Sequence, residues 1–288
     1  MTGWLNLRWR HLRLLTTSGW VKVRRHVCSV EDLRGCCYVK AYASLARYLF
    51  PERVGPIYRL HRAYPIATDF GIDIDGYMAG LPLRRLVRGS FFEDEVEHAR
   101  LLALEALDAV RQNYAKVRAV FTGRRGYQLW ILDFDWRDWV QREPRSARDL
   151  VWLMALGKAR YARVIAAQLS WLDEAHLCVM EDLTRLFALP GTVDRRTGLA
   201  VVEVDLERPA AEHLALAARL AAGRERGLLR RQTPAKGGCG DELNAKPPPA
   251  PSQPRGSPPP RACTCWPQPS PREPSMRHAR CHHARTQP

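Results

Sequence analysis

Three stretches of this chain carry the 3.6-residue apolar period of helices that bury one face. The first opens at Ser90-Phe91-Phe92-Glu93, where Ser and Glu have capping-box spacing, and runs on through Val96, Leu101, Leu104, Leu107 and Val110. The second covers about residues 146–171 and the third, rich in Ala and Leu, about residues 209–229. The first and third of these stripes are predicted to be core. Between and before them lie short runs rich in β-branched and aromatic residues at 70–75, 117–121, 127–133 and 199–205, which predict strands. Helices and strands interleave, so the predicted class is α/β or α+β with a mixed sheet.

The pattern stops near residue 230. Residues 231–288 hold 14 of the 21 prolines, including Pro247-Pro248-Pro249 and Pro258-Pro259-Pro260, and almost no aliphatic side chains. Such a segment buries too little apolar surface to offset its ordering entropy, so a disordered tail is predicted, with the folded domain at 1–230. The chain has 45 Lys+Arg against 30 Asp+Glu, a net charge of +15, and the first 230 residues keep +9 of it. A basic body favours a polyanionic partner such as nucleic acid.

No run approaches the roughly 18 apolar residues of a membrane span. Arg8, Arg10, His11 and Arg13 interrupt the first twenty residues before a signal peptide can form, which predicts a cytoplasmic protein with no membrane partner. Of eight cysteines, Cys28, Cys36, Cys37 and Cys178 are scattered through the body, and reduced thiols are expected. No zinc site is expected in the body, and Cys263, Cys265, Cys281, His282 and His283 of the tail fit no common zinc spacing. The tryptophans, Trp130, Trp136 and Trp139 among them, are expected to pack in the core.

Three segments carry candidate chemistry. In Phe70-Gly71-Ile72-Asp73-Ile74-Asp75 the strand period places Asp73 and Asp75 on one face and sends Ile72 and Ile74 into the core. Two carboxylates so placed suit hard divalent cations such as Mg²⁺ or Mn²⁺, and metal-assisted nucleotidyl transfer uses such pairs; an acidic solvent face has the same pattern. The turn Thr122-Gly123-Arg124-Arg125-Gly126-Tyr127-Gln128 combines glycines, which let backbone amides approach a phosphate, with two guanidinium forks, although a plain hairpin turn reads the same way. The third segment, 182–199, joins an acidic, partly apolar stretch to Pro190-Gly191 and supplies Arg185, Arg195 and Arg196 for a nucleotide or template backbone, or simply for a charged loop rim.

Taken in order, these segments resemble the small, catalytic subunit of archaeal and eukaryotic DNA primases. That family reads apolar-Asp-apolar-Asp, then Ser-Gly-x-Arg-Gly-x-His, then a basic Pro-x-Ser-Leu-His-x-Lys-Thr-Gly-Leu stretch. Val23-Arg24-Arg25-His26, Ser29-Val30-Glu31-Asp32-Leu33-Arg34 and Tyr42-Ala43-Ser44-Leu45-Ala46-Arg47-Tyr48 with Pro51 resemble its N-terminal stretches, so the likeness spans roughly residues 5 to 205. It implies a primase-like catalytic core with its site in a cleft on the sheet. It also implies template-directed, Mg²⁺- or Mn²⁺-dependent joining of nucleoside triphosphates for primer synthesis in DNA replication, on single-stranded DNA and with a large-subunit partner. By this resemblance Asp73 and Asp75 are the catalytic, metal-binding carboxylates. Thr122, Gly123, Arg124, Arg125, Gln128, Arg185 and Arg196 are then the nucleotide-binding set.

The chain also departs from that pattern. His176 falls where the family has its third metal-binding Asp, with Asp173, Glu181 and Asp182 as nearby acidic replacements, and His suits Mg²⁺ less well than a carboxylate. Gln128 stands at a phosphate-contacting His, Ala188 at a basic position and Asp194 at another His, where a carboxylate repels a triphosphate. The family's cysteine-rich zinc insertion is missing from 76–119. Each lost transition-state contact costs about 2–4 kcal/mol, so two alternatives stand beside the enzyme. One is a non-catalytic nucleotide- or nucleic-acid-binding paralogue; the other is a repair or mobile-element primase-polymerase.

Overall fold

A computed structural model of the chain describes residues 4–23, 27–33, 38, 40–75, 91–194 and 196–229. These residues belong to one compact unit. The predicted tail, Ser90, Arg195 and the 24–26 part of the N-terminal resemblance lie outside the described residues.

In chain order the elements are β1 (Arg10–Thr16), β2 (Gly19–Lys22), β3 (Lys40–Tyr48), β4 (Pro65–Thr68), β5 (Phe70–Asp75), α1 (Phe91–Arg111), β6 (Val117–Phe121), β7 (Gly126–Ile131), α2 (Ala147–Ala166), α3 (Glu174–Glu181), β8 (Leu186–Ala188), β9 (Val193–Asp194), β10 (Leu199–Ala200), β11 (Val202–Val204) and α4 (Ala210–Leu229). Short 3₁₀ turns at Val30–Leu33, Pro51–Arg53, Ile57–Ala63 and Trp136–Trp139 join some of them. One sheet runs β2-β1-β3-β4 with β8 also on β3; a second runs β11-β6-β7-β5, and β9 and β10 form a separate two-stranded pair. The class is α+β. Each described strand pairing is antiparallel, so the expected mixed sheet takes an antiparallel form.

The second sheet separates two cores by side-chain alternation alone. Ile72 and Ile74 of β5, with Tyr127, Leu129 and Ile131 of β7, join the core that holds Val96, Ala99, Ala103, Ala106 and Val110 of α1. That stripe is shifted from the expected one, since Leu101 is 50% exposed. On the opposite face Val120 and Trp130 meet Leu45, Phe187 and Leu189 from the first sheet's side. The sheets approach closely at Gly71, where a methyl group would come within 2.6 Å of the Phe187 ring and 2.8 Å of Leu45. A larger residue there would force the layers apart.

The first sheet carries buried charge where the sequence pattern shows only interruptions. Arg10 donates to the carbonyls of Ser44 (2.7 Å) and Leu45 (2.8 Å) and pairs with buried Asp69, while Arg47 lies 3.5 Å from the same carboxylate. These partners engage both terminal nitrogens of a guanidinium that would otherwise be expensive inside a protein, while its Nε is buried without a partner among the described residues. Among the described helices none is long and apolar enough to cross a membrane. Cys28 is free and exposed. Cys178 is disulfide-bonded, which corrects the expectation of reduced thiols at this position.

Candidate active site

Asp73 and Asp75 leave β5 on the face shared with Gly71, toward the first sheet, because Ile72 and Ile74 occupy the helix-side core. Antiparallel register puts Gln128 directly opposite Asp73 and Gly126 opposite Asp75. Gln128 bridges the two sheets: its Nε2 donates to Asp73 Oδ1 (3.1 Å), and its Oε1 accepts from the Ala188 backbone N–H of β8 (2.9 Å). An amide can do both at once, whereas a single histidine tautomer offers one donor and one acceptor at fixed ring positions.

The turn between β6 and β7 is closed from within. Thr122 donates to the Gly126 carbonyl through both its N–H and its hydroxyl, each at 3.0 Å. Gly123 has φ +75°, and a methyl group there would sit 2.9 Å from the Leu199 carbonyl oxygen, so glycine is required twice over. Thr197 donates to the Gly123 carbonyl at 2.5 Å and pins the turn against the following loop. Thr122 therefore shapes the turn, leaving Arg124 and Arg125 to reach into the space in front of it.

That space is a cavity of about 390 Å³. Its walls include Asp73, Asp75, Thr122, Arg124, Arg125, Gln128 and Arg185 of the predicted set, and add Lys40, Tyr42, Trp20, Asp182 and Thr184. Arg185 pairs with Asp73 Oδ2 at 2.5 Å, and Arg125 Nε lies 4.0 Å from Asp75. The Nε atoms of Arg124 and Arg185 are buried without a hydrogen-bond partner among the described residues. The Nε atoms of Arg10 and Arg47, off the cavity wall, are in the same state, so it is the gathering of Arg124, Arg125 and Arg185 on one wall that suits an anion. Withdrawal into the cleft pushes the Asp75 carboxyl above the usual carboxylate range, and the Asp73 charge adds to the rise; Arg125, Arg124 and Lys40 act the other way.

Lys40 is the residue that sequence reasoning missed. Its ammonium donates to the Thr122 carbonyl (2.8 Å) and to Asp194 Oδ2 (3.1 Å), and it is buried with its partner. Asp194 was expected to repel a triphosphate; held by Lys40, its charge is locally balanced. The sequence signal is the strand period itself, which puts Lys40 and Tyr42 on one face of β3. Burial pushes the Tyr42 hydroxyl up to about 12; Asp194 and Asp73 add to the rise, and Arg196 and Arg124 oppose it.

The structure does not bring His176 to this cavity. His176 is buried at the third position of α3, in a reciprocal cap with Asp173: the Asp173 carboxylate accepts from its N–H at 3.0 Å, and the ring Nδ1 meets both the Asp173 backbone N–H and carboxylate. Its ring packs edge-on to Trp171, so the doubtful metal ligand is a helix cap. Asp173 is used up in the same cap. Asp182 does line the cavity, with Oδ1 accepting from the Thr184 N–H and hydroxyl at 2.7 Å each. Arg196 is off the cavity wall, its N–H bonded to Asp194. Among the described residues no three His, Cys, Asp or Glu side chains gather as a metal-holding group.

Behind Asp182, Lys158 of α2 is fully buried and donates to the Asp182 carbonyl at 3.1 Å. Burial lowers its ammonium to about 8, against the opposing pull of Asp182, Asp69 and Glu181, with Arg185 adding to the fall. Below pH 8 the folded protein carries the full cost of that buried charge. Between pH 8 and the ordinary lysine value of 10.5 the unfolded chain alone binds the proton, so stability rises with pH and the cost vanishes. Lys158→Met is thus expected to raise the melting temperature by about 4 °C at pH 7, for a gain of about 1–2 kcal/mol after losing the carbonyl contact. Calorimetry at pH 7 and pH 9.5 checks this: the gain should shrink at the higher pH, and a loss at pH 7 would contradict it.

Compared with protein-family models and with curated proteins, the chain matches none. The site is thus defined by its own geometry: paired carboxylates facing two arginines across an anion-sized cleft, at the meeting of two sheets.

Proposed function

We propose that this chain is a primase small-subunit-like nucleotidyltransferase, joining nucleoside triphosphates on a single-stranded DNA template. The observation that carries the reading is convergence. Asp73 and Asp75, the Thr122–Gln128 turn and Arg185 come from three separate segments, the outer two 112 residues apart, and line one cavity. Arg124 and Arg125 hold the phosphates, while Gln128 fixes the rotamer of Asp73.

The donor set fits a hard cation. Two carboxylates share one strand face, Asp75 is costly to ionise beside Asp73, and Mg²⁺ is commonly held by one or two carboxylates with phosphate and water completing its shell. Asp73 and Asp75 would be those ligands. A bound Mg²⁺ or Mn²⁺ would supply charge neutralisation of the triphosphate and of the attacking oxygen.

A second reading, a nucleotide-binding paralogue without turnover, is favoured by one observation: Asp73 already has Gln128 on one oxygen and Arg185 on the other. The test is primer synthesis and primer extension on single-stranded DNA with Mg²⁺ or Mn²⁺, with and without a large-subunit partner, beside nucleotide binding by calorimetry. Template-dependent product establishes the transferase, and extension confined to gaps with deoxynucleotides marks a repair polymerase. Binding without product establishes the paralogue; neither binding nor product sinks both readings.

A further inference from the structure

The cavity that holds the carboxylates and arginines has a second, aromatic end. Trp20 follows the β1–β2 turn and lines the same cavity while remaining 53% exposed. Core tryptophans behave otherwise: Trp130 and Trp136 are buried, as the sequence predicts for packing residues. Trp152 is 49% exposed as well, so exposure alone does not single Trp20 out; its place on the wall of the charged cleft does.

The ring is also held in place. Trp20 pairs with Leu15 across the hairpin, and the turn is fixed by Gly19 at φ +124° and by Thr16 Oγ1 donating to the Gly19 carbonyl at 2.8 Å. Its ring lies 5.0 Å from that of Tyr42, centroid to centroid, inclined at 52°. Tyr42 in turn has the Lys40 ammonium 5.7 Å from its ring centre. The order of groups along the wall is thus Trp20, Tyr42, Lys40 and then the turn that carries Arg124 and Arg125. Aromatic surface at one end and guanidinium groups at the other match a ligand with a planar ring and an anionic tail.

We infer that Trp20 is the stacking platform for the base of the nucleotide whose phosphates Arg124 and Arg125 hold. The inference rests on the proposed nucleotide reading and adds the residue that recognises the base rather than the phosphates. Stacking on one face of an indole accepts any base, and purines more strongly for their larger area. The Tyr42 ring, inclined at 52° to the indole, packs beside it on the same wall and helps fix its tilt.

The test uses the full-length chain and two probes with Mn²⁺ present, ATP and inorganic tripolyphosphate, measured by titration calorimetry for wild type, Trp20→Ala and Trp20→Phe. Trp20→Ala is expected to weaken ATP by about tenfold, within the range of single base–aromatic stacks, and to leave tripolyphosphate within about twofold. Trp20→Phe should recover most of the loss. Unchanged ATP affinity in Trp20→Ala overturns the inference and leaves the nucleotide reading standing. Equal weakening of both probes also overturns it, because the ring would then only support the cleft. A labelled single-stranded oligonucleotide is the third probe; its weakening with ATP unchanged would assign the ring to template and overturn the proposal as stated. A wild type that binds neither small probe removes the nucleotide reading itself, and the inference with it.

Discussion

Asp75→Asn is expected to lower nucleotidyl transfer by about a hundred- to a thousandfold while making the folded protein more resistant to heat at pH 7. On the proposed reading, the first effect follows from removing one of the two carboxylates that would hold the cation where transition-state charge must be balanced. The second follows from the direction of the Asp75 shift. Recession in the cleft and the neighbouring Asp73 charge raise its carboxyl in the folded state, so the folded protein holds a proton more tightly than the unfolded chain does. Below the ordinary carboxylate value both states are protonated and the wild type carries no penalty. As pH rises through that value and past the folded one, the wild type loses stability that the asparagine variant keeps. The side chain retains some contact with solvent, which screens the effect, so a gain of a few degrees at pH 7 that disappears near pH 3.5 is the expected size. Paired melting curves and a primer-extension time course check both halves. A variant that is less stable at pH 7, or that keeps wild-type turnover, contradicts the assignment.

Gly126→Ala is expected to be the most damaging single methyl group in the cleft. An added Cβ would lie 2.2 Å from the Ile74 carbonyl oxygen and 2.7 Å from Asp75 Oδ1, contacts that side chains do not make. The obstacle is backbone of the paired strand, so relief requires β5 and β7 to separate where Asp75 faces Gly126. Overpacking of this kind costs about 3 kcal/mol, near 6–12 °C in melting temperature for a domain of this size. Nucleotide affinity should fall as well, since Asp75 and the arginine turn would move together. Gly198→Ala is the control: its φ of +71° is strained for alanine, yet nothing lies within 4 Å, so a loss of about 1 kcal/mol with the cleft intact is expected. Thermal melts of both variants, with ATP titrations beside them, separate a collapsed site from a merely strained loop. Equal losses in the two would show that the close approach at Gly126 is not what fixes the cleft.

The strands that build the floor of the cleft were legible because their chemistry is local. Phe70–Asp75 alternates cleanly and Val117–Phe121 is a short run rich in β-branched and aromatic residues, and the structure ends both at the predicted residues. The N-terminal sheet was not legible. Arg10, His11 and Arg13 break the apolar alternation of β1, and what makes Arg10 acceptable there is Asp69, fifty-nine residues away. Long-range neutralisation leaves no periodic trace. The same reason hid Lys40, whose partner Asp194 lies 154 residues downstream. His176 failed in the opposite sense: alignment by motif order placed it with the carboxylates, whereas its nearest sequence neighbours explain it fully, Asp173 three residues before it making the helix cap. The tilt of Trp20 over Tyr42 depends on the pairing of β1 with β3, so composition alone could only assign it to packing.

Gln128 spans the gap between the two sheets, with one end on β5 and the other on β8, while Trp130 two residues on packs against Phe187 at a ring separation of 5.3 Å. Opening either sheet alone would strip an amide of its partners and a tryptophan of its neighbour together. The two halves of the cleft should therefore open as one cooperative unit, with backbone amides of β5 and β8 exchanging with solvent at a common free energy. A ligand gripping both walls would slow that exchange in both strands equally, so a nucleotide held chiefly at the arginine turn would register in the hydrogen exchange of β8 as well as of β5.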